Sequence, residues 1–154
     1  MRGILRIFRT KSLETSRILE FTDLFLIEYG KVHLLLSDGI ILDLRSMFDG
    51  DQLESIFIQR ILTSYQLEKI LMDSDDMPFY MIIRSEVISD WKKNTLEGIY
   101  DILKIKTNYR GCNIWMNIVG NSGTFEKYLG EWRFHTASER KNMGIYAWED
   151  QPQR

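Results

Sequence analysis

Cysteine is almost missing from this chain, with Cys112 the only one in 154 residues. A single thiol cannot close an internal disulfide, so the fold does not rest on a covalent staple and a reducing compartment is the simpler setting. Neither histidine lies near Cys112 in sequence and no catalytic-cysteine motif surrounds it, which makes it a small buried hydrophobe. Proline is nearly as scarce, at 2 residues, while 44% of side chains are hydrophobic and 12% aromatic. That balance excludes a disordered chain and indicates one packed domain. No apolar run approaches the ~18 residues that a membrane span needs. Arg6 and Arg9 interrupt the first apolar stretch too early for a signal peptide, so an intracellular protein is expected.

Charge of one sign is also lacking. The 20 Lys and Arg against 22 Asp and Glu leave a formal charge of −2, so no global basic field recommends nucleic acid as a partner. Ligand-bearing residues are thin as well: His33, His135 and Cys112 fall on three separate elements without metal-ligand spacing. Asp73, Asp75 and Asp76 attract hard cations in principle, but the glycine and distal Glu of an EF-hand are missing and Pro78 follows, so a solvated acidic turn is the better reading. There is no nucleophile elbow, and "GNSG" at Gly120 to Gly123 lacks the Lys-Ser/Thr ending of a phosphate loop. No catalytic, cofactor-binding or metal residue is assigned, no cofactor is expected, and the expectation is a protein that is not an enzyme.

What is present is a succession of short apolar runs. "DLFLIEYGKVHLLLSDGIILDL" reads as three strands, broken at Gly30-Lys31 and at Ser37-Asp38-Gly39, both with hairpin chemistry. In "DGDQLESIFIQRILTSYQLEKILMD", Leu53, Ile56, Phe57, Ile61, Leu62 and Tyr65 recur at three and four residues, which predicts one long helix started by Asp51 and Glu54 as a capping box. "DSDDMP" is a loop, and "FYMIIRSEVIS" is a strand. A helix opens at Asn94 with Leu96, Ile99, Tyr100 and Leu103 as its buried stripe. In "CNIWMNIVG", Cys112, Ile114, Met116 and Ile118 alternate with Asn113, Trp115, Asn117 and Val119. "EWRFHT" and "GIYAWE" add two strand candidates. The expected fold class is α+β, a mainly antiparallel sheet with two principal helices packed on one face.

The opening "MRGILRIFRTK" separates into two sides on a helical wheel, Ile4, Leu5, Ile7 and Phe8 against Arg2, Arg6 and Arg9. Arg2, Arg6, Arg9, Lys11 and Arg17 against Glu14 give residues 1–17 a local charge of +4. This reads as a basic amphipathic segment, distinct from a single α+β domain over 18–154, that lies on an anionic surface. The competing reading is a terminal strand or frayed helix packed on the core. Trp115, on the less apolar face of its strand, is a candidate contact residue, unless a helix covers that face.

A short start "MRGILRI", then "FYMIIRSEVIS", "NTLEGIYDILK", "YRG", "CNIWMNIVG" and "TFEKYLG", resembles the matrix proteins of rhabdoviruses and their small matrix-like accessory relatives over about a third of the chain. The resemblance implies a non-enzymatic viral accessory protein in host–virus interaction, located in host cytoplasm, nucleus or virion. Its partners would be host or viral proteins, a second copy of itself and a peripheral anionic membrane, met through Arg2, Ile4, Leu5, Arg6, Phe8, Arg9 and Trp115. The family's proline-rich budding motif has no counterpart, since Pro78 and Pro152 stand alone. The alternative is a small cytosolic inhibitor or immunity-type protein that covers a basic toxin or nuclease with Asp38, Asp43, Asp49, Asp51 and the Asp73 cluster.

Overall fold

The computed structural model describes residues 3–120. In chain order the elements are β1 (Leu5–Thr10), α1 (Thr15–Tyr29), β2 (Val32–Ser37), α2 (Leu44–Met47), α3 (Gly50–Leu53), β3 (Ile56–Ile61), α4 (Ser64–Asp73), β4 (Phe79–Arg84), α5 (Ser85–Ser89), α6 (Lys93–Asn108) and β5 (Ile114–Val119). The strands form one sheet in the order β1-β5-β4-β2-β3, and every neighbouring pair is parallel. The fold is therefore α/β and doubly wound. The expected α+β class with a mainly antiparallel sheet is corrected.

Three local readings produced that error. "DLFLIEY" is the second half of α1, whose buried stripe is Ile18, Thr22 and Phe25. The spacing is helical, but a threonine in the stripe and apolar residues on the outer face hide it. Gly30, at φ 77°, then ends the helix in the left-handed region, its N–H donating to the Leu26 carbonyl. Gly39 at φ 86° does not close a hairpin. It turns the chain out of the sheet towards α2, because a parallel neighbour needs a crossover rather than a tight turn. The long helix expected from Asp51 onward is three elements, α3, β3 and α4, and its capping box is formed by Asp49 and Gln52 rather than by Asp51 and Glu54.

Both sheet faces are covered. One carries Leu35, Phe79, Met81, Ile114 and Met116 beneath Leu67 and Leu71 of α4 and Leu96, Ile99 and Leu103 of α6. The other carries Leu34, Leu36, Tyr80 and Ile82 beneath Ile18 and Phe25 of α1 and the α2–α3 segment around Phe48. The steps from β1 to β2 to β3 cross the second face, and the steps from β3 to β4 to β5 return across the first. Opposite directions on opposite faces are what one hand of crossover requires. Strands buried on both sides lose the apolar and polar alternation that marks a half-exposed sheet, as β2 and β4 do here.

The N-terminal stretch is part of this sheet. β1 pairs with β5 from Leu5 opposite Ile114 to Thr10 opposite Val119. Leu5 and Ile7 are buried on the α6 side and Phe8 on the α1 side. Of the two readings of this stretch, the structure has the terminal strand packed on the core and not the amphipathic helix: with helices over both faces, apolar residues at Leu5, Ile7 and Phe8 all find cover. Residues 1–17, expected to stand apart, contribute β1 and the first residues of α1 to the same body.

Candidate functional site

In a doubly wound sheet the usual ligand position is the crevice at the carboxyl ends of two strands whose crossovers leave in opposite directions. Here those strands are β2 and β4, and their ends are bound to one another. The Arg84 backbone N–H donates to Ser37 Oγ at 2.9 Å. Arg60 donates to the carbonyls of Ser37 at 3.1 Å and Ile40 at 2.8 Å. A Cβ on Gly39 would collide with the Arg84 guanidinium, which in turn pairs with Glu86 at 3.1 Å. Among the described residues, the chain's own groups bridge the two strand ends here.

The outer side of β3 is different. No other described strand pairs with it beyond β2. The carbonyls of Ser55 and Ile61 accept from Val32 and Asp38, so the odd-numbered residues of β3 turn their backbone groups inward to β2. By alternation, the N–H and C=O groups of Ile56, Ile58 and Arg60 point outward. The edge ends where the Leu62 N–H is taken by Gln66 Oε1 at 2.7 Å. Phe57 is 53% exposed and Ile58 43% exposed, with Leu62 and Tyr65 exposed beside them. An unpaired apolar edge is a template for another strand, and folded proteins usually blunt or cover it.

Beside this edge, between β3 and α4, runs a groove of 490 Å³ lined by Gln59, Arg60, Tyr65, Gln66, Lys69 and Ile70 and closed by Asp73 and Ser74. Thr63 and Gln66 hold its upper end as a capping box of α4. Below Gln59 the floor is polar. Its Oε1 accepts from His33 Nε2, and the imidazole stacks on Phe79 with centroids 4.8 Å apart. His33 is buried and its pKa is lowered, chiefly by that burial, which outweighs the raising effect of the Gln59 hydrogen bond; the Lys106 charge adds a lesser lowering. His33 Nδ1 and Ser74 Oγ are buried without a hydrogen-bond partner. Lys106, 1% exposed, directs Nζ to the Ser74 carbonyl at 3.5 Å and to Asp76 Oδ1 at 3.3 Å. Asp76 also holds Arg110 at 3.0 Å.

No protein-family model matches this chain, and no curated protein matches it. Site assignment therefore rests on geometry. The residues proposed from sequence do not converge. Arg2 lies outside the described residues, as do His135, Trp132, Trp148, the two C-terminal strand candidates and "TFEKYLG". Ile4 is exposed at the foot of β1. Arg6 lies over the Trp115 ring at 4.7 Å on the α1 side. Arg9, on the other face, is buried and donates to the Gly120 carbonyl at 2.7 Å. Leu5 and Phe8 are core residues. Trp115 is covered by α1, with ring centroids 5.0 Å from Phe21 and 5.1 Å from Phe25. Cys112 is buried, its thiol pushed up to about 12 chiefly by that burial.

Among the acids, Asp49 caps α3 and Asp76 is shared by two cations, so two carboxylates of the expected inhibitory surface serve the fold. Lys106 is interior. Of the stretches quoted for the matrix resemblance, "FYMIIRSEVIS" is strand only over β4 and turns helical as α5, "NTLEGIYDILK" lies in α6 and "CNIWMNIVG" holds β5, a parallel neighbour of β4. No described helix is long and apolar enough to cross a membrane.

The β3 edge escaped sequence reading because it was absorbed into a helix. One signal marked the break: Thr63 followed by Gln66 is a capping box, and a capping box starts a helix rather than continuing one.

Proposed function

We propose that this chain is a non-enzymatic interaction protein that takes a segment of another polypeptide onto the outer edge of β3. The observation that supports it is the apolar β3 edge, unpaired among the described residues and bordered by the groove of 490 Å³. Strand addition draws affinity from main-chain hydrogen bonds and selectivity from pockets for alternate side chains, and this edge offers both. The bridging of the β2 and β4 ends by the chain's own groups favours the non-enzymatic reading. The proposal keeps the partner-binding part of the expectation and moves the contact surface from the N-terminal stretch to β3.

The test is selection of displayed random octapeptides on the full-length chain, followed by binding to Ile58→Pro. Proline at this position removes one outward N–H and leaves the β2 ladder intact. Selected peptides are expected to lose binding to Ile58→Pro and to protect the Ile58 and Arg60 amides of the native chain from hydrogen exchange. Ile58→Lys, which blunts an edge without altering the backbone, guards against a folding defect in the proline variant. Peptides that bind both variants as well as the native chain would overturn the proposal.

A further inference from the structure

The groove wall carries charges at a spacing that an added strand can read. α4 runs opposite to β3, so its first turn lies at the carboxyl end of the strand and Asp73 at the amino end. Lys69 and Asp73 both line the groove, four residues and about 6 Å apart along the helix axis. Two residues on one face of a strand, i and i+2, are about 6.7 Å apart. No ion pair joins Lys69 to Asp73 among the described residues, and a cation placed four residues before an anion is the weaker order for a helical pair. Asp73 is the only carboxylate in the lining, and the second cation there, Arg60, is already engaged with the Ser37 and Ile40 carbonyls. A single strand bearing an acid and a base two residues apart can therefore meet both charges at once.

Resting on the strand-addition reading above, the geometry points to an extended segment of pattern Glu-x-Lys, or its Asp and Arg equivalents, bound antiparallel to β3 with the acid beside Lys69 and the base beside Asp73. Antiparallel pairing is the more stable geometry per residue, and it fixes the order. An occupant descending from the carboxyl end of β3 meets Lys69 first and Asp73 second. Alternate side chains of the segment face α4, and those between them face solvent on the α2–α3 side.

The probe is acetyl-Val-Thr-Glu-Thr-Lys-Thr-Val-amide, labelled with fluorescein and titrated with the full-length chain by anisotropy. It is compared with the same peptide carrying Glu and Lys exchanged. The first peptide is expected to bind about fivefold more tightly, the worth of two exposed ion pairs, with the difference shrinking at high salt. The double variant Lys69→Glu/Asp73→Lys is expected to invert the preference, and Ile58→Pro to abolish binding of both. Equal affinity for the two peptides, with loss on Ile58→Pro, would overturn the charge reading and leave strand addition standing. Preference for the exchanged peptide would overturn the antiparallel order. No binding of either peptide, while peptides from the random selection bind and respond to Ile58→Pro, overturns this inference alone; no binding of any peptide overturns both. A concentration-dependent dimer by sedimentation that disappears in Ile58→Lys would make a second copy the occupant and overturn the proposal.

Discussion

Lys106 takes an ammonium into the interior of the molecule and keeps it there with one carboxylate and one carbonyl. A buried cation is tolerable only while its partner is present, and its removal is costlier than removal of the whole pair. Asp76 is held from outside by Arg110 as well and is 33% exposed on its side chain, which lowers the cost of either change. Asp76→Ala is expected to destabilise the fold by about 2 kcal/mol, because Lys106 is left with the Ser74 carbonyl and the face of the Phe79 ring but no carboxylate. Lys106→Met, which fills the same volume without charge, is expected to cost less than about 1 kcal/mol, and the double variant to recover most of the Asp76→Ala loss. Urea unfolding of the three variants measures this directly. Equal destabilisation by Asp76→Ala and Lys106→Met would deny the pair its asymmetry. His33 contributes a second expectation. Its folded-state pKa lies below the ordinary 6.5, so between the two values the native state binds fewer protons than the unfolded chain. Stability is then full above 6.5 and falls as pH drops through it. Replacing His33 with Gln is expected to flatten part of that decline in unfolding free energy. An unchanged slope would mean that the imidazole is not held neutral by burial.

At the scale of elements, α4 depends on its start. Thr63 Oγ1 accepts from the Gln66 N–H at 3.1 Å, and Gln66 Oε1 accepts from Thr63 and Leu62. Thr63→Ala is expected to cost about 1 kcal/mol in thermal or urea unfolding. The faster amide exchange it causes should be confined to the first turn of α4 and leave the β5 amides protected. The same element shows why β3 was hidden. Ile56, Phe57, Ile61, Leu62 and Tyr65 follow a three-and-four rhythm by coincidence, across a six-residue strand and the turn after it. A short apolar run cannot be assigned by period alone. α6 and β5 were legible for the opposite reason: sixteen helical residues with a regular stripe, and a strand with its large apolar residues on one face, carry enough repeats to be unambiguous. α1 lay between these cases, since Thr22 in its buried stripe and exposed Leu24 and Ile27 blur the contrast a helix needs.

Topology is the level at which the sequence was least legible, because pairing partners lie far apart along the chain. β1 is tied to β5 by a bond from Thr10 Oγ1 to Asn117 Oδ1, 107 residues distant. No local pattern announces such a neighbour, so an edge strand with arginines on both faces reads as a detached basic arm. The candidate site was lost with it: attention fell on Arg6, Arg9 and Trp115, whose side chains are engaged within the fold, and β3 went unseen. The two views of the N-terminal stretch predict opposite results for its removal. A detachable arm could be cut without changing the melting temperature. In the sheet, deletion of residues 1–10 exposes Leu5, Ile7 and Phe8, each worth about 2 kcal/mol of burial. It also removes backbone hydrogen-bond partners of α6 and β5 along that edge, where the Gly3 N–H donates to the Thr107 carbonyl at 2.6 Å and Gly3 packs so closely on the Cys112 carbonyl that no Cβ would fit. That loss is comparable with the whole stability of an ordinary domain. The truncated chain is expected to show no cooperative thermal transition by circular dichroism, and Arg9→Ala alone, which breaks the bond to Gly120, to lower the midpoint measurably. A truncated protein that melts like the full chain would show that β1 contributes nothing to the core.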